Sequence, residues 1–423
     1  MTRDVSPTAP RSVPTESAAW PLPPSGPAAD SPTTGRLIGI DLARGLAVFG
    51  MYAVHVGPDV SVGGPVGFLL EAAAGRSAAL FAVLAGFSLV IMTGRPRPRT
   101  GRAGRRAVAR IVIRAVVLMA LGYALTALDT EVEVILSFYG LLFLVVLPLY
   151  RLRASTLALI AATGALVLPQ VLYSVQRLIE DGGWSDTFVN ADPLARFTGT
   201  DGITELLFTG EYPVLTWFPF VVAGMAIARL DLGHCRTRAW LALTGGALAV
   251  LGYGCSWLAL HLVPHALTTI AANTDGGSAQ SAWWSDTVGD PTGRTPLDWL
   301  LVAAPHSQTT LSILANTGVA LVAVAACLTV VDRMPRLGRL SLPVAAVGKI
   351  ALTVYALQIV ALWCLTEVWD VAAMEDESMS GLPVLLGFIG GALLLAAVWT
   401  RFFRRGPLEY LLHTATRVSR FVR

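Results

Sequence analysis

From Leu37 onward, apolar blocks recur along the chain, separated by short polar stretches. They fall near 37–56, 65–92, 107–128, 132–150, 154–175, 212–230, 239–262, 308–331, 342–366 and 381–403. A helix needs about 20 such residues to cross a bilayer core. Lipid offers backbone amides no hydrogen bonds, so each block is predicted to be a helix. The pattern predicts an all-α, polytopic transmembrane bundle of about ten helices. The second and ninth blocks are long, which tilt or re-entry accommodates. Residues 1–35 hold eight prolines among Ser, Thr and Ala. They cannot bury enough surface to offset their ordering entropy and are predicted to be a disordered tail. Nothing there resembles a signal peptide, so the first helix is expected to direct insertion. Residues 36–410 then form the membrane domain and 411–423 a basic tail.

Composition agrees: 54% of residues are hydrophobic, 14% are charged and the mean hydropathy is +0.62. A soluble chain carries roughly a quarter charged residues. A net charge of +3 gives no reason to expect nucleic acid. Cys235, Cys255, Cys327 and Cys364 form no short motif, so inert buried thiols are expected rather than disulfides or zinc.

Charge placement sets orientation. With a cytoplasmic N-terminus, all of the 31 Lys and Arg except Arg76, Arg177, Arg196 and Arg294 fall on the cytoplasmic side. Acidic residues such as Asp129, Glu131 and Glu133 fill the outer loops. Both chain ends are therefore expected in the cytoplasm of a multi-pass cell-membrane protein. The Arg-rich stretch 95–110 reads as an orientation signal that touches anionic lipid rather than as a phosphate site. Two long outer loops, 176–211 and 263–307, carry Trp184, Trp283 and Trp284. Loops of that length often act as lids, although tryptophans also favour the membrane interface.

The sharpest chemistry lies on the first helix, in Asp41-Leu-Ala-Arg44-Gly45 and the later His55. Arg44 and His55 differ by only about 20° around the axis and are about 16 Å apart along it. Asp41 shares their face, making a polar stripe on an apolar helix. Ionisable groups in the membrane cost about 2.5–3.5 kcal/mol each, so they face the bundle interior and serve a function.

The Asp41-x-x-Arg44-Gly45 motif with the later His55 resembles the first-helix motif of the membrane acyltransferase-3 family. The wording Arg36-Leu-Ile-Gly-Ile-Asp41-Leu-Ala-Arg44-Gly45 is closer to the heparan-α-glucosaminide N-acetyltransferase catalytic-domain family and its bacterial relatives. The segments around Gly75 and Gly86, Trp217 and Gly224, Gly348 and Tyr355, and Gly406 and Glu409 resemble that family too, which extends the likeness from Arg36 to Tyr410. The lysosomal-type members carry Asn where His55 stands and keep their catalytic histidine in the following loop. Residues 57–64 here contain none, so only the acyltransferase-3 pattern supports His55.

The resemblance implies acyl transfer with an acyl-CoA, expected to be acetyl-CoA, as co-substrate and a carbohydrate or other extracytoplasmic acceptor. It leaves room for a homodimer. His55 is then a general base or a covalent acyl carrier. Its alternative is a buried histidine bonded to Tyr52 or a backbone carbonyl. Glu71 is placed to orient that imidazole and Arg76 to hold an anionic acceptor or the thioester oxygen, unless the two pair with one another. His306, in Pro305-His306-Ser307, is a second candidate base or acceptor-binding residue, unless it is an ordinary loop or capping residue. Asp41, Arg44, Lys349 and Tyr355 are expected on the acyl-CoA side, with Lys349 equally readable as a snorkelling anchor. No Walker or Gly-x-Ser-x-Gly motif is present, and the scattered His234, His261, His265 and His413 suggest no metal cluster. A proton-coupled transporter using the same stripe is the rival reading, and a scaffold with an inert His55 is the third.

Overall fold

A computed structural model describes residues 32–95, 97–130, 132–182, 202–368 and 381–421. The predicted tail up to residue 31, together with Glu131, Trp184, Arg196 and the acidic stretch 369–380, lies outside them. The described residues form an all-α bundle in which every predicted block is helical. Six helices are long and apolar enough to cross a membrane, or up to eight if each of two bent pairs counts as one span.

Helix α1 (Pro32–Val56) begins inside the segment expected to be a tail. The second block divides into α2 (Gly64–Ala73) and α3 (Arg76–Thr93). The break falls at Gly75, whose φ of 61° suits glycine. Helix α4 (Gly101–Thr126), the short α5 (Ile135–Val146) and α6 (Ala154–Gly182) follow. Helix α7 (Val214–Ala228) is bent by 65° from the preceding turns Gly202–Thr209. Helix α8 (Cys235–Leu262) leads to the short α9 (Ala266–Ala272). Helices α10 (Thr310–Arg333) and α11 (Pro335–Leu340) precede the ninth block. That block is α12 (Leu342–Lys349) and α13 (Ala351–Trp363), joined at Ile350 in a span bent by 82°. Helices α14 (Gly381–Phe402) and α15 (Pro407–Ala415) complete the fold. The expected basic tail is helical through Phe421, with Leu412 and Ser419 buried.

Glycines set the central packing. A Cβ on Gly86 of α3 would meet the Val221 oxygen of α7 at 1.9 Å, and one on Gly224 of α7 would meet the Val83 oxygen of α3 at 1.8 Å. The two helices thus touch backbone to backbone, the small-residue contact common within membranes. Gly45 of α1 and Gly348 of α12 repeat the device: their added Cβ atoms would meet the Val344 and Asp41 oxygens at 2.2 and 1.7 Å. Helices α3 and α10 lie deep in the bundle, whereas α4, α6, α8 and α14 leave most of their apolar surface outward, as lipid permits. Cys327 is buried as expected, but Cys255 is exposed on α8 and Cys235 at its start. Most arginines gather at one end of the bundle, beside the start of α1. Over the opposite end, residues 263–305 fold as a small roof with its own core of Ile270, Val288 and Trp299.

Candidate functional site

The stripe on α1 meets two separate polar regions. At the Arg-rich end, a cavity of about 380 Å³ is lined by Asp41, Arg44, Ser88, Arg114, Lys349 and Glu409, with Phe81 and Tyr139 among its apolar walls. Arg44 donates from Nη1 to Asp41 Oδ1 at 2.9 Å and from Nη2 to Ser88 Oγ at 2.7 Å. Glu409 accepts from the Leu352 and Thr353 amides at 2.9 and 3.2 Å, and from Thr353 Oγ1 at 2.6 Å. Its carboxylate thereby caps α13 at the bend. Both acids are engaged, whereas Arg114 Nε is buried without a hydrogen-bond partner. The cavity therefore favours an anionic ligand, and its size falls in the usual ~300–1,000 Å³ range of small-molecule sites.

The second region lies toward the roof. His55 is half-buried at the last turn of α1 and makes no hydrogen bond among the described residues, so the expected bond to Tyr52 is not formed. Tyr52 donates instead to the Val354 oxygen at 2.9 Å. His306 is within electrostatic range of His55. It sits at φ 58°, packs edge-on to Tyr212 at 5.5 Å and forms an ion pair of 2.5 Å between Nδ1 and Glu211 Oε1. Burial opposes the imidazolium, but the Glu211 carboxylate, helped by Asp286, holds the His306 pKa up at about 9. This shift favours the protonated imidazole at neutral pH, a hydrogen-bond donor. Gln308 fixes the segment by donating to the Glu211 oxygen at 2.9 Å and accepting from Thr216 Oγ1 at 2.6 Å.

Glu71 and Arg76 meet differently from either expectation. Arg76 is 7% exposed. Its Nη1 donates to the Glu71 backbone oxygen at 2.8 Å, its Nε to the Tyr253 hydroxyl at 2.7 Å, and its Nη2 to the Trp284 oxygen. The Glu71 carboxylate takes the hydroxyl of buried Ser285 instead. Arg76 therefore closes the α2–α3 break and ties it to the roof, and Trp284 serves as part of that clamp. Tyr253 continues the chain to Asn316 at 3.1 Å, and Asn316 donates to Ser312 at 3.1 Å.

Tyr355 is not among the residues lining the cavity at the Arg-rich end. Its hydroxyl accepts from the Ile135 amide at 3.3 Å, at the start of α5. His55 is not part of the cavity wall, because Val48, Met51 and Tyr52 are packed between it and Arg44. Sequence reading passed over Arg114, Glu211 and Gln358, and took Glu409 only as part of a short motif. Gln358 is 1% exposed, and neither of its amide atoms has a hydrogen-bond partner. A single polar residue within an apolar block was the signal available.

Residues 36–258 match the family model for the heparan-alpha-glucosaminide N-acetyltransferase catalytic domain, more than half of the chain. The chain belongs to this family. Residues 293–419 match a second family, described as a protein of unknown function (DUF418). No curated protein matches the chain. The N-acetyltransferase-family segment supplies Asp41, Arg44, His55, Arg114 and Glu211, and the second supplies His306, Lys349 and Glu409. Both polar regions are assembled from the two together.

Proposed function

We propose that this multi-pass membrane protein is an acyltransferase. It takes an acyl group, expected to be acetyl, from acyl-CoA at the Arg-rich end and transfers it to a carbohydrate or other acceptor beneath the roof. Positive charge around the Arg-rich loops supports a cytoplasmic donor side and an extracytoplasmic acceptor side of the cell membrane. One observation carries the reading: a single helix holds Arg44 in a cationic cavity and His55, without a hydrogen bond, about 16 Å farther along.

In this reading Arg44, Arg114 and Lys349 hold the anionic part of acyl-CoA, and the cavity takes its pantetheine arm. His55 deprotonates the acceptor or carries the acyl group. Protonated His306 donates to the developing oxyanion. His306 and His55 then divide the acid and base roles. Movement of the layer around Tyr52 opens the route between the two regions.

The bent spans at residues 210–213 and at Ile350 favour a second reading, because discontinuous helices often mark the binding sites of transporters. Acetyl-CoA binding and release of free CoA by detergent-purified protein separate the two. The acyltransferase reading expects saturable binding that weakens about 10–100-fold in Arg114→Gln, the loss of one or two hydrogen bonds to a charged group. It also expects His55→Ala to bind but not turn over. Absence of acetyl-CoA binding at millimolar concentration, with proton-coupled flux in vesicles, would establish the transporter instead.

A further inference from the structure

A cavity larger than the one at the Arg-rich end belongs to neither polar region. A groove of about 1420 Å³ opens between α6 and α8, floored by α7 and α10. Small side chains make its walls: Ala158, Ala161, Ala162 and Ala165 from α6, with Ala223 and Ala226 from α7. Toward the roof it is closed where Gln170 Nε2 donates to Thr310 Oγ1 at 3.2 Å and Thr310 donates to the Ala165 oxygen at 2.9 Å. Its other end, at the Arg-rich face, is rimmed by exposed Arg153, His234 and Arg236.

The rim is selective in its charges. Arg238, close by in sequence, is buried and occupied by Asp332 and the Leu232 and Leu328 oxygens. His234 pairs with Asp231 at 3.3 Å. The guanidinium groups of Arg153 and Arg236 make neither ion pair nor hydrogen bond with any described residue. An apolar trough of this size beside lipid does not hold water stably, so a hydrocarbon chain is its natural filling. Two uncommitted guanidinium groups at headgroup depth give that chain an anionic head.

We propose that the groove is a binding site for an anionic glycerophospholipid drawn from the leaflet at the Arg-rich end. An acyl chain lies along the alanine wall of α6, and the headgroup phosphate lies against Arg153 and Arg236. The site is independent of the acyl-transfer reading, since it shares no lining residue with the cavity or with His55 and His306.

The test is native mass spectrometry of the full chain in detergent with equimolar phosphatidylglycerol and phosphatidylcholine. Wild-type protein is expected to retain phosphatidylglycerol preferentially. Arg153→Gln/Arg236→Gln should lose that preference, by roughly fivefold for each cation removed. Ala162→Trp, at an exposed groove position, should reduce retention of both lipids by occupying the trough. An unchanged preference in the double variant overturns the headgroup assignment, and unchanged retention in Ala162→Trp overturns the groove. A wild-type dimer that Ala162→Trp dissociates would show that a second copy of the chain, and not lipid, fills the groove.

Discussion

His306 Nδ1 lies 2.5 Å from Glu211 Oε1, so a loop between α9 and α10 is anchored by a charge from the bend before α7. The contact joins residues far apart in sequence and turns one of two neighbouring imidazoles into a fixed cation.

Stability should therefore depend on pH. Glu211 raises His306 above its ordinary 6.5 to about 9. The stabilisation from the pair is complete just below about pH 6.5, as long as Glu211 stays ionised, and is lost as pH rises through about 9. Thermal unfolding in detergent should show a falling midpoint across that window in wild type and a flatter profile in Glu211→Gln. At neutral pH that variant should be less stable by about 1–3 kcal/mol, less than for a fully buried pair, because Glu211 keeps part of its surface exposed. Equal pH profiles for the two proteins would remove the ion pair from the account.

The α3–α7 crossing gives a packing prediction. Gly86→Ala would set a methyl group 1.9 Å from the Val221 oxygen, and backbone on both sides leaves no flexible side chain to yield. The cost should reach or exceed the ~1–3 kcal/mol of ordinary overpacking. Size-exclusion profiles and melting temperatures should deteriorate for Gly86→Ala and Gly224→Ala. The same change at Gly246, where nothing lies within 4 Å, should be silent. Equal behaviour of the three variants would show that the crossing is not tight.

Gln358 offers a test of function apart from stability. It stands one turn beyond Val354, the residue whose oxygen holds the Tyr52 hydroxyl, and its amide has no partner. An unsatisfied buried polar group costs about 1–3 kcal/mol, so an apolar replacement of similar shape should not destabilise the fold. Gln358→Leu is expected to melt at or above the wild-type temperature while turnover falls at least tenfold, the loss of about one charge-assisted hydrogen bond. A lower melting point would mean that the amide serves the packing, and unchanged turnover would exclude it from the reaction.

Much of the fold was legible because its signals are local. Block length and hydropathy located α1, α4, α6, α8, α10 and α14 to within a few residues at most ends. The break at Gly75 was readable only as excess length, since a helix interrupted by one glycine keeps its hydropathy. The bend at Ile350 was likewise readable only as excess length, because Gly348 beside it packs against Asp41 of another helix and carries no local sign of a bend. The site was less legible. Asp41 and Arg44 share a face by periodicity, and the structure joins them to Ser88. Arg114 looked like one more orienting charge, and Glu409 stood in a short motif with no assigned partner.

The sequence by itself determined that the chain is a helical membrane bundle, where its apolar helices fall, and that Asp41, Arg44 and His55 lie along one side of α1. These follow from the length, apolarity and 3.6-residue period of single segments. Only the tertiary structure decided that Glu211 meets His306, that Arg76 binds carbonyl and hydroxyl oxygens rather than a carboxylate, and that the Tyr355 hydroxyl meets the start of α5. Those outcomes depend on which backbones approach closely enough, at glycines such as Gly86, Gly224 and Gly348, for side chains on different helices to meet. Hydropathy is indifferent to such pairings, and close packing decides them.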